Sequence, residues 1–270
     1  MKRILSFGGG VDSSAILLKH LRREINLSID LVIFADTGAE NKRTYQNVDR
    51  FKSLCDQEGI EFVIVQNSKE TITEFLVRNG SVPLMAGSAH TCSRKFKSEV
   101  IQKYIRDRFK TDRVTYLIGI ELNETKRQRF QKPLNDQNEY EYPLIELKLT
   151  RSDCEDYLNK HGFNVVKSSC VFCPFMSREE ILEIRKDPEA WATIQWVEKK
   201  FESVSSRKYQ NWIDAGKPLI TLKTKKKDGT NKTRAPAGMW QRDSWKEGQR
   251  LFTQARHNGQ RLSVEEWSKV

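Results

Sequence analysis

No run in this 270-residue chain is apolar for long enough to span a membrane, and none reads as a secretory leader. The expectation is a cytoplasmic protein with no membrane partner. There is no internal repeat and no long low-complexity tract. Two common nucleotide signatures are missing as well. The chain has no G-x-x-x-x-G-K-[ST], and no G-x-G-x-x-G with an acidic residue at the usual distance. Cysteines are few and odd in number, five, which argues against a disulfide framework and for metal or thiol chemistry in a reducing compartment. Acidic charge is also short. Lys and Arg number 47 against 36 Asp and Glu, a formal net charge of +11. Such a surface suits a polyanionic partner, nucleic acid first, with a merely solvated basic surface as the plainer alternative.

What is present begins with Ser6-Phe7-Gly8-Gly9-Gly10-Val11-Asp12-Ser13-Ser14. It comes after the apolar pair Ile4-Leu5 and leads into Ala15 to Leu21, a pattern of strand, glycine turn and helix. Glycines let backbone N–H groups turn to an anion, and the helix adds its positive end and unpaired donors. A flexible turn is the plainer alternative.

Further strands are expected at Leu31–Ala35, Phe62–Val65 and Val114–Ile118, and a short extended piece at Tyr142–Ile145. Helical spacing marks Arg43 to Glu58, Thr71 to Arg78, a basic stretch from Ser93 to Phe109, and Thr150 to His161. Alternating strands and helices imply an α/β fold, a doubly wound, mostly parallel sheet. Beyond about Val165 the character changes to a loop, a helix capped by Ser177, and a helix opened by Asp187-Pro188. A strand then runs into a basic tip at Lys227, with a Trp- and Arg-rich end after it. Two regions are expected, a nucleotide-binding domain over 1–165 and a smaller, helical, basic region over 166–270.

Ligands of an open parallel sheet bind at the carboxyl ends of its strands. Three such ends carry polar residues here: the glycine loop, Asp36-Thr37-Gly38, and Gly119 to Thr125. A nucleotide is expected with its phosphates on Gly9, Gly10, Asp12 and Ser13 and its base against the backbone of Phe34 and Ala35. Asp12 or Asp36 would hold Mg²⁺; for Asp36 a simple turn role is the alternative. Cys170 and Cys173 form a C-x-x-C, and Cys92 lies far upstream beside Arg94 and Lys95. Three thiolates suit an iron–sulfur cluster or zinc, while a redox dithiol or incidental burial stays open. Cys55 reads as core, and Cys154 has little claim to be a fourth ligand.

Taken in order, these pieces resemble the phosphoadenylyl-sulfate (PAPS) reductase family of the PP-loop, or adenine nucleotide α-hydrolase-like, superfamily. Gly8 to Ser13 resembles its S-G-G-x-D-S loop, Asp36-Thr37-Gly38 its D-T-G strand end, and Gly119 to Thr125 its G-[IL]-R-x-x-E-S segment. Pro143-Leu144 before Thr150 to Tyr157 resembles its Pro-Leu and acidic helix, and Cys92 with Cys170 and Cys173 falls where iron–sulfur members carry cysteines. The resemblance implies an adenine nucleotide, ATP, cleaved at the α-phosphate with Mg²⁺. It places Ser6, Gly8, Gly9, Gly10, Asp12, Ser13, Ser14, Phe34, Asp36, Thr37, Gly119 and Glu121 at the nucleotide, and Asp12, Lys95 and Glu124 in catalysis.

There are departures from the family pattern. Gly8 stands where Ser is usual, Glu121 where Arg is common, Thr91 in place of a first cysteine, and no cysteine occurs after Cys173. They turn the expectation from a sulfonucleotide reductase to a sulfurtransferase that thiolates tRNA or DNA. Cys92, Cys170 and Cys173 would hold a [4Fe–4S] cluster, with zinc as the alternative. The implied partners are nucleic acid, a sulfur-donor or thioredoxin-like protein, and a second copy of the chain. The tail from Lys223 to Arg250, with Trp240 and Trp245, is expected to track phosphates and stack bases. The tryptophans equally suit a small satellite core. The remaining rivals are a sulfonucleotide reductase and a nucleic-acid-binding module with structural zinc.

Overall fold

Period-two alternation builds the central sheet from both faces. In the computed structural model the chain opens with β1 (Lys2–Ser6), α1 (Val11–Leu21), β2 (Leu31–Asp36), α2 (Lys42–Gln57) and β3 (Phe62–Gln66). Leu5, Val32 and Phe34 turn to one face and pack with α1 and α2 residues such as Ile16, Val48 and Phe51. Ile4, Leu31, Ile33 and Ala35 turn to the other. The structure describes residues 1–83, 85–86, 89–110, 113–130, 138–217, 220–225, 228–234, 251–252, 255–260 and 262–270. Trp240, Trp245, Lys226 and Lys227 lie outside the described residues.

The chain forms two compact units, Met1–Lys69 with Cys92–Cys170, and Glu70–Thr91 with Val171–Val270. Residues 70–91, expected inside the first domain, belong to the second unit as α3 (Ile72–Asn79), β4 (Met85–Ala86) and β5 (Ala89–His90). The first unit resumes at Cys92, within α4 (Thr91–Ser93), and continues through a π-helical turn at Arg94–Ser98 and α5 (Glu99–Phe109), which gives Ile101 and Ile105 to the second core. Then come β6 (Val114–Ile118), a 3₁₀ stretch at Leu122–Phe130, β7 (Asn138–Glu141), α6 (Pro143–Glu146) and α7 (Arg151–Lys160). All strands of the central sheet are parallel, in the order β3-β2-β1-β6-β7. The doubly wound α/β expectation is met.

Two local expectations are corrected. Tyr142–Ile145 is not extended: Pro143 starts α6, because proline at a first helical position has the right φ and needs no N–H partner. The extended piece precedes it as β7, whose sequence Asn-Glu-Tyr-Glu carries no apolar run to signal a strand. The stretch from Ser93 to Phe109 is helical, but the π turn breaks its register.

In the second unit, α8 (Arg178–Ile184) and α9 (Pro188–Asp214) lead to the antiparallel pair β8 (Ile220–Lys225) and β9 (Asn231–Arg234). Trp191, Ile194, Val197 and Phe201 are the buried stripe of α9. The Trp191 indole donates to Ser268 Oγ at 2.9 Å, and Arg185 donates to the Trp267 carbonyl at 2.8 Å. Among the described residues, no helix is long and apolar enough to cross a membrane.

Gly80 caps α3 in the left-handed region (φ +53°), and a Cβ there would stand 2.2 Å from Val204 Cβ. Gly59 has a similar φ of +69° but nothing within 4 Å of its Cβ position. Gly80→Ala should therefore lose about 2–4 kcal/mol, strain plus overpacking, and Gly59→Ala only about 1 kcal/mol. Denaturant unfolding of both variants checks this; equal losses would refute the packing term.

Candidate nucleotide and thiol site

The glycine loop lies where the strand order reverses. The chain moves from β1 outward through β2 to β3, then returns to β6 on the other flank of β1. That reversal opens a crevice at the carboxyl ends of β1 and β6. Ser6 ends β1, Phe7 is buried, and Gly10 caps α1. Gly9 has φ +70°, and a Cβ on it would lie 2.9 Å from Thr44 Cγ2 and 3.2 Å from Val48 Cγ2. Only glycine satisfies both demands.

The two serines organise the loop. Ser13 Oγ accepts from the Gly8 N–H (3.1 Å) and reaches the Gly10 carbonyl (3.4 Å). Ser14 is fully buried, and its Oγ accepts from Asn47 Nδ2, which also donates to the Gly9 carbonyl, each at 2.9 Å. Asn47 had no motif to announce it; it is one polar residue on an amphipathic helix.

Gly119 closes the crevice from the β6 side. A Cβ there would fall 3.0 Å from Ser13 N and 3.1 Å from Asp12 Cβ. Asp12 is 7 % exposed, and its Oδ1 has no hydrogen-bond partner. Its Oδ2 pairs with Arg151 Nη2 at 2.8 Å. Burial pushes the Asp12 carboxyl up to about 6; Arg151 opposes the rise, Glu124 and Glu121 add to it, and Arg127 opposes it. Glu121 is buried and accepts from the Asn123 N–H at 2.8 Å, and Glu124 pairs with Arg127. Arg151 is the residue sequence reasoning missed, although Thr150 marked the helix start that positions it.

At the β2 end, the carboxylate of Asp36 is well supplied. Its Oδ1 accepts from Tyr45 Oη (2.7 Å) and the Gly38 N–H (2.8 Å), and its Oδ2 from Gln66 Nε2 (2.9 Å). Phe34 lies in the core. Thr37 donates to Glu40 Oε1 at 3.0 Å and stands 3.3 Å from Cys170 Sγ.

Glu40 is the unforeseen centre of the thiol side. Its side chain is fully buried, its Oε1 meets Lys97 Nζ at 2.7 Å, and its Oε2 has no hydrogen-bond partner. Glu40 and Cys170 also form an antiparallel backbone bridge. Burial pulls the Lys97 pKa down, while Glu40, Cys170 and Cys92 together raise it, so the net shift is upward. Lys95, the lysine expected there, lies 5.3 Å from the Phe96 ring centre. Both lysines lie within the π turn, and it is Lys97 that meets Glu40. Cys173 belongs to the second unit, three residues along from Cys170. Among the described residues, no group of three or more His, Cys, Asp or Glu is arranged to hold a metal ion. Cys154 is buried beside Asp12, its thiol pushed up to about 12 chiefly by burial, and Cys55 is likewise core.

These carboxylates make two testable differences to stability. Asp12 carries a raised folded pKa, so folding favours its protonated form. The stability this gives is present below about pH 4 and lost as pH rises through 6. Asp12→Asn should then be more stable than the parent at pH 8 in EDTA, by about 3 kcal/mol, and equal to it near pH 4. A pH-independent difference in unfolding free energy would contradict this. Lys97→Met strands the buried Glu40 carboxylate and should cost about 3–5 kcal/mol, most of it recovered in Lys97→Met/Glu40→Gln. Additive losses in that double-mutant cycle would show the pair is not coupled.

No curated protein sequence matches the chain. Among solved structures it is similar to the U34-tRNA thiolase NcsA of Methanococcus maripaludis with its [4Fe–4S] cluster. The identity is 18 %, over 75 % of this chain and 73 % of that one, with a TM-score of 0.43. It is also similar to a phosphoadenylyl-sulfate (PAPS) reductase of Candida auris in a phosphate complex. Here the identity is 16 %, over 61 % of this chain and 73 % of that one, with a TM-score of 0.41. The phosphoadenosine phosphosulfate reductase domain model matches residues 2–167, from the first residue of β1 to within three residues of the end of the first unit. On that match the chain belongs to the phosphoadenosine phosphosulfate reductase domain family.

Proposed function

We propose that this protein is an ATP-dependent sulfurtransferase acting on nucleic acid. The observation that carries the reading is the segment Ser168-Ser169-Cys170. At one end Ser168 lies against Gly10 of the glycine loop; at the other, Cys170 lies beside Thr37, Glu40 and Lys97. Phosphate chemistry and thiol chemistry are two residues apart in one unit.

In this reading the loop amides and the N-terminus of α1 hold the phosphates. The orphaned Asp12 Oδ1 suits a hard cation, so Asp12 would hold Mg²⁺ and thereby be kept ionised. Bound there, the cation would neutralise charge on the phosphates. An oxygen of the acceptor attacks the α-phosphorus, the bond to the bridging oxygen breaks, and pyrophosphate leaves. Sulfur supplied at the sulfide level then displaces AMP from the activated carbon. Arg151 and Arg127 balance the Asp12 and Glu124 carboxylates around the reacting phosphorus.

Soft thiols suit an iron–sulfur cluster: Cys92 and Cys170 of the first unit would be two of its ligands and Cys173 of the C-x-x-C the third, although among the described residues they are not gathered into a metal-holding group. Bound there, the cluster would supply an iron site for sulfide. The net charge of +11 supports a nucleic-acid acceptor.

Oxygen-free purification should give a brown protein containing iron and acid-labile sulfide. Incubation with ATP, sulfide and tRNA or DNA should give a thiolated nucleoside by mass spectrometry, with none from Asp12→Ala. A colourless zinc protein would remove the cluster. Sulfite release from a sulfonucleotide with thioredoxin, and no thiolated product, would replace the reading with a reductase.

A further inference from the structure

Gly8 stands where the family pattern expects a serine, yet space does not force a glycine there. A Cβ on Gly8 would meet Ser13 Oγ at 3.8 Å and Ser168 Oγ at 3.9 Å, both ordinary contacts, and the residue has no positive φ. The volume that a serine at 8 would enter is therefore bordered by a hydroxyl from elsewhere in the chain. Ser168 also closes over Gly10, where a Cβ would fall 2.9 Å from its Oγ and 3.2 Å from its backbone N.

Its neighbours hold Ser168 in that place. The Ser169 carbonyl accepts from the Asn41 N–H at 2.9 Å and from Asn41 Nδ2 at 3.1 Å, while Asn41 Oδ1 caps α2 through the Thr44 N–H. One residue further, Cys170 bridges Glu40. Ser168 itself is partly exposed. A hydroxyl and an N–H thus stand over the glycines at the start of α1, where buried Asp12 keeps an oxygen without a partner.

We propose that Ser168 is a phosphate ligand of the nucleotide, supplying the hydroxyl that position 8 does not carry. The inference rests on the nucleotide reading of the glycine loop and adds a residue beyond the matched 2–167 segment. A hydroxyl donating to a charged phosphate oxygen makes a stronger bond than one between neutral groups.

The test is calorimetric titration of ATP with Mg²⁺ into the full chain and its variants. Ser168→Ala should raise Kd about five- to tenfold. Ser168→Thr, which keeps the hydroxyl, should stay within about twofold. In the double variant Gly8→Ser/Ser168→Ala, the serine restored at 8 should recover most of the loss. An unchanged Kd in Ser168→Ala would overturn the proposal. A loss shared by Ser168→Thr, or one that Gly8→Ser does not rescue, would also overturn it, since Ser168 would then act by packing. Failure of the parent protein to bind ATP would instead strike the nucleotide reading, and this inference with it.

Discussion

The constraint on which the site depends is the close approach of backbone around the start of α1. Three chain segments converge there: the glycine loop, the end of β6 and the segment at Ser168. At Gly9, Gly10 and Gly119 an added Cβ would come within 3.0 Å of a neighbouring atom. Gly119 is the most restrictive, because the atoms it faces are Ser13 N and Asp12 Cβ, which cannot swing aside. Bringing backbones this close sets the amides of the loop and of the first turn of α1 at one place. The same closeness puts Asp12 out of water, beside the end of β6. The clustering of loop amides and the burial of the carboxylate are thus two results of one packing requirement.

That burial has an energetic consequence. An aspartate kept from solvent with one oxygen unpartnered is less stable ionised than it would be in water. Arg151 offsets only part of this, since the net shift remains upward and Glu121 and Glu124 add to it. The folded protein therefore carries a locally unfavourable charge at physiological pH. A cation arriving with the nucleotide would relieve it, so binding energy and relief of strain act in the same direction. Sites of this kind are where local rules of burial are broken for function.

Much of the fold was legible because it rests on local patterns. Leu31 to Ala35 is a continuous apolar run and Val114 to Ile118 is one but for Thr115, and a parallel sheet covered on both faces demands such runs. Thr71, Thr150 and Ser177 each form a capping box visible as Ser or Thr with an acidic residue three places on. β7 escaped because an edge strand covered on one side only can be as polar as Asn-Glu-Tyr-Glu. In the site, glycines and motif residues were legible, since backbone requirements restrict residue type. Asn47, Arg151, Glu40 and Lys97 were not. Each acts through long-range contacts, and no spacing in the sequence records which residue makes them.

Lys97 shows why such contacts escape a periodicity argument. Between 93 and 109 the spacing gives a single amphipathic helix, in which Lys95 and Lys97 point about 200° apart on a 3.6-residue period. The π turn at Arg94–Ser98 contains both lysines, and Lys97 is the one that reaches Glu40. Lys97 is only partly buried, whereas burial would normally exclude a carboxylate from the place Glu40 holds. Together they are tolerated, because each supplies the other's counter-charge at 2.7 Å. The selection is therefore mutual. Glu40 is acceptable in the interior because Lys97 meets it there. The two thiols inherit a fixed positive charge from that arrangement, and Cys170 inherits its place from the backbone bridge to Glu40. The thiol side of the crevice is built on this pair as the loop side is built on its glycines.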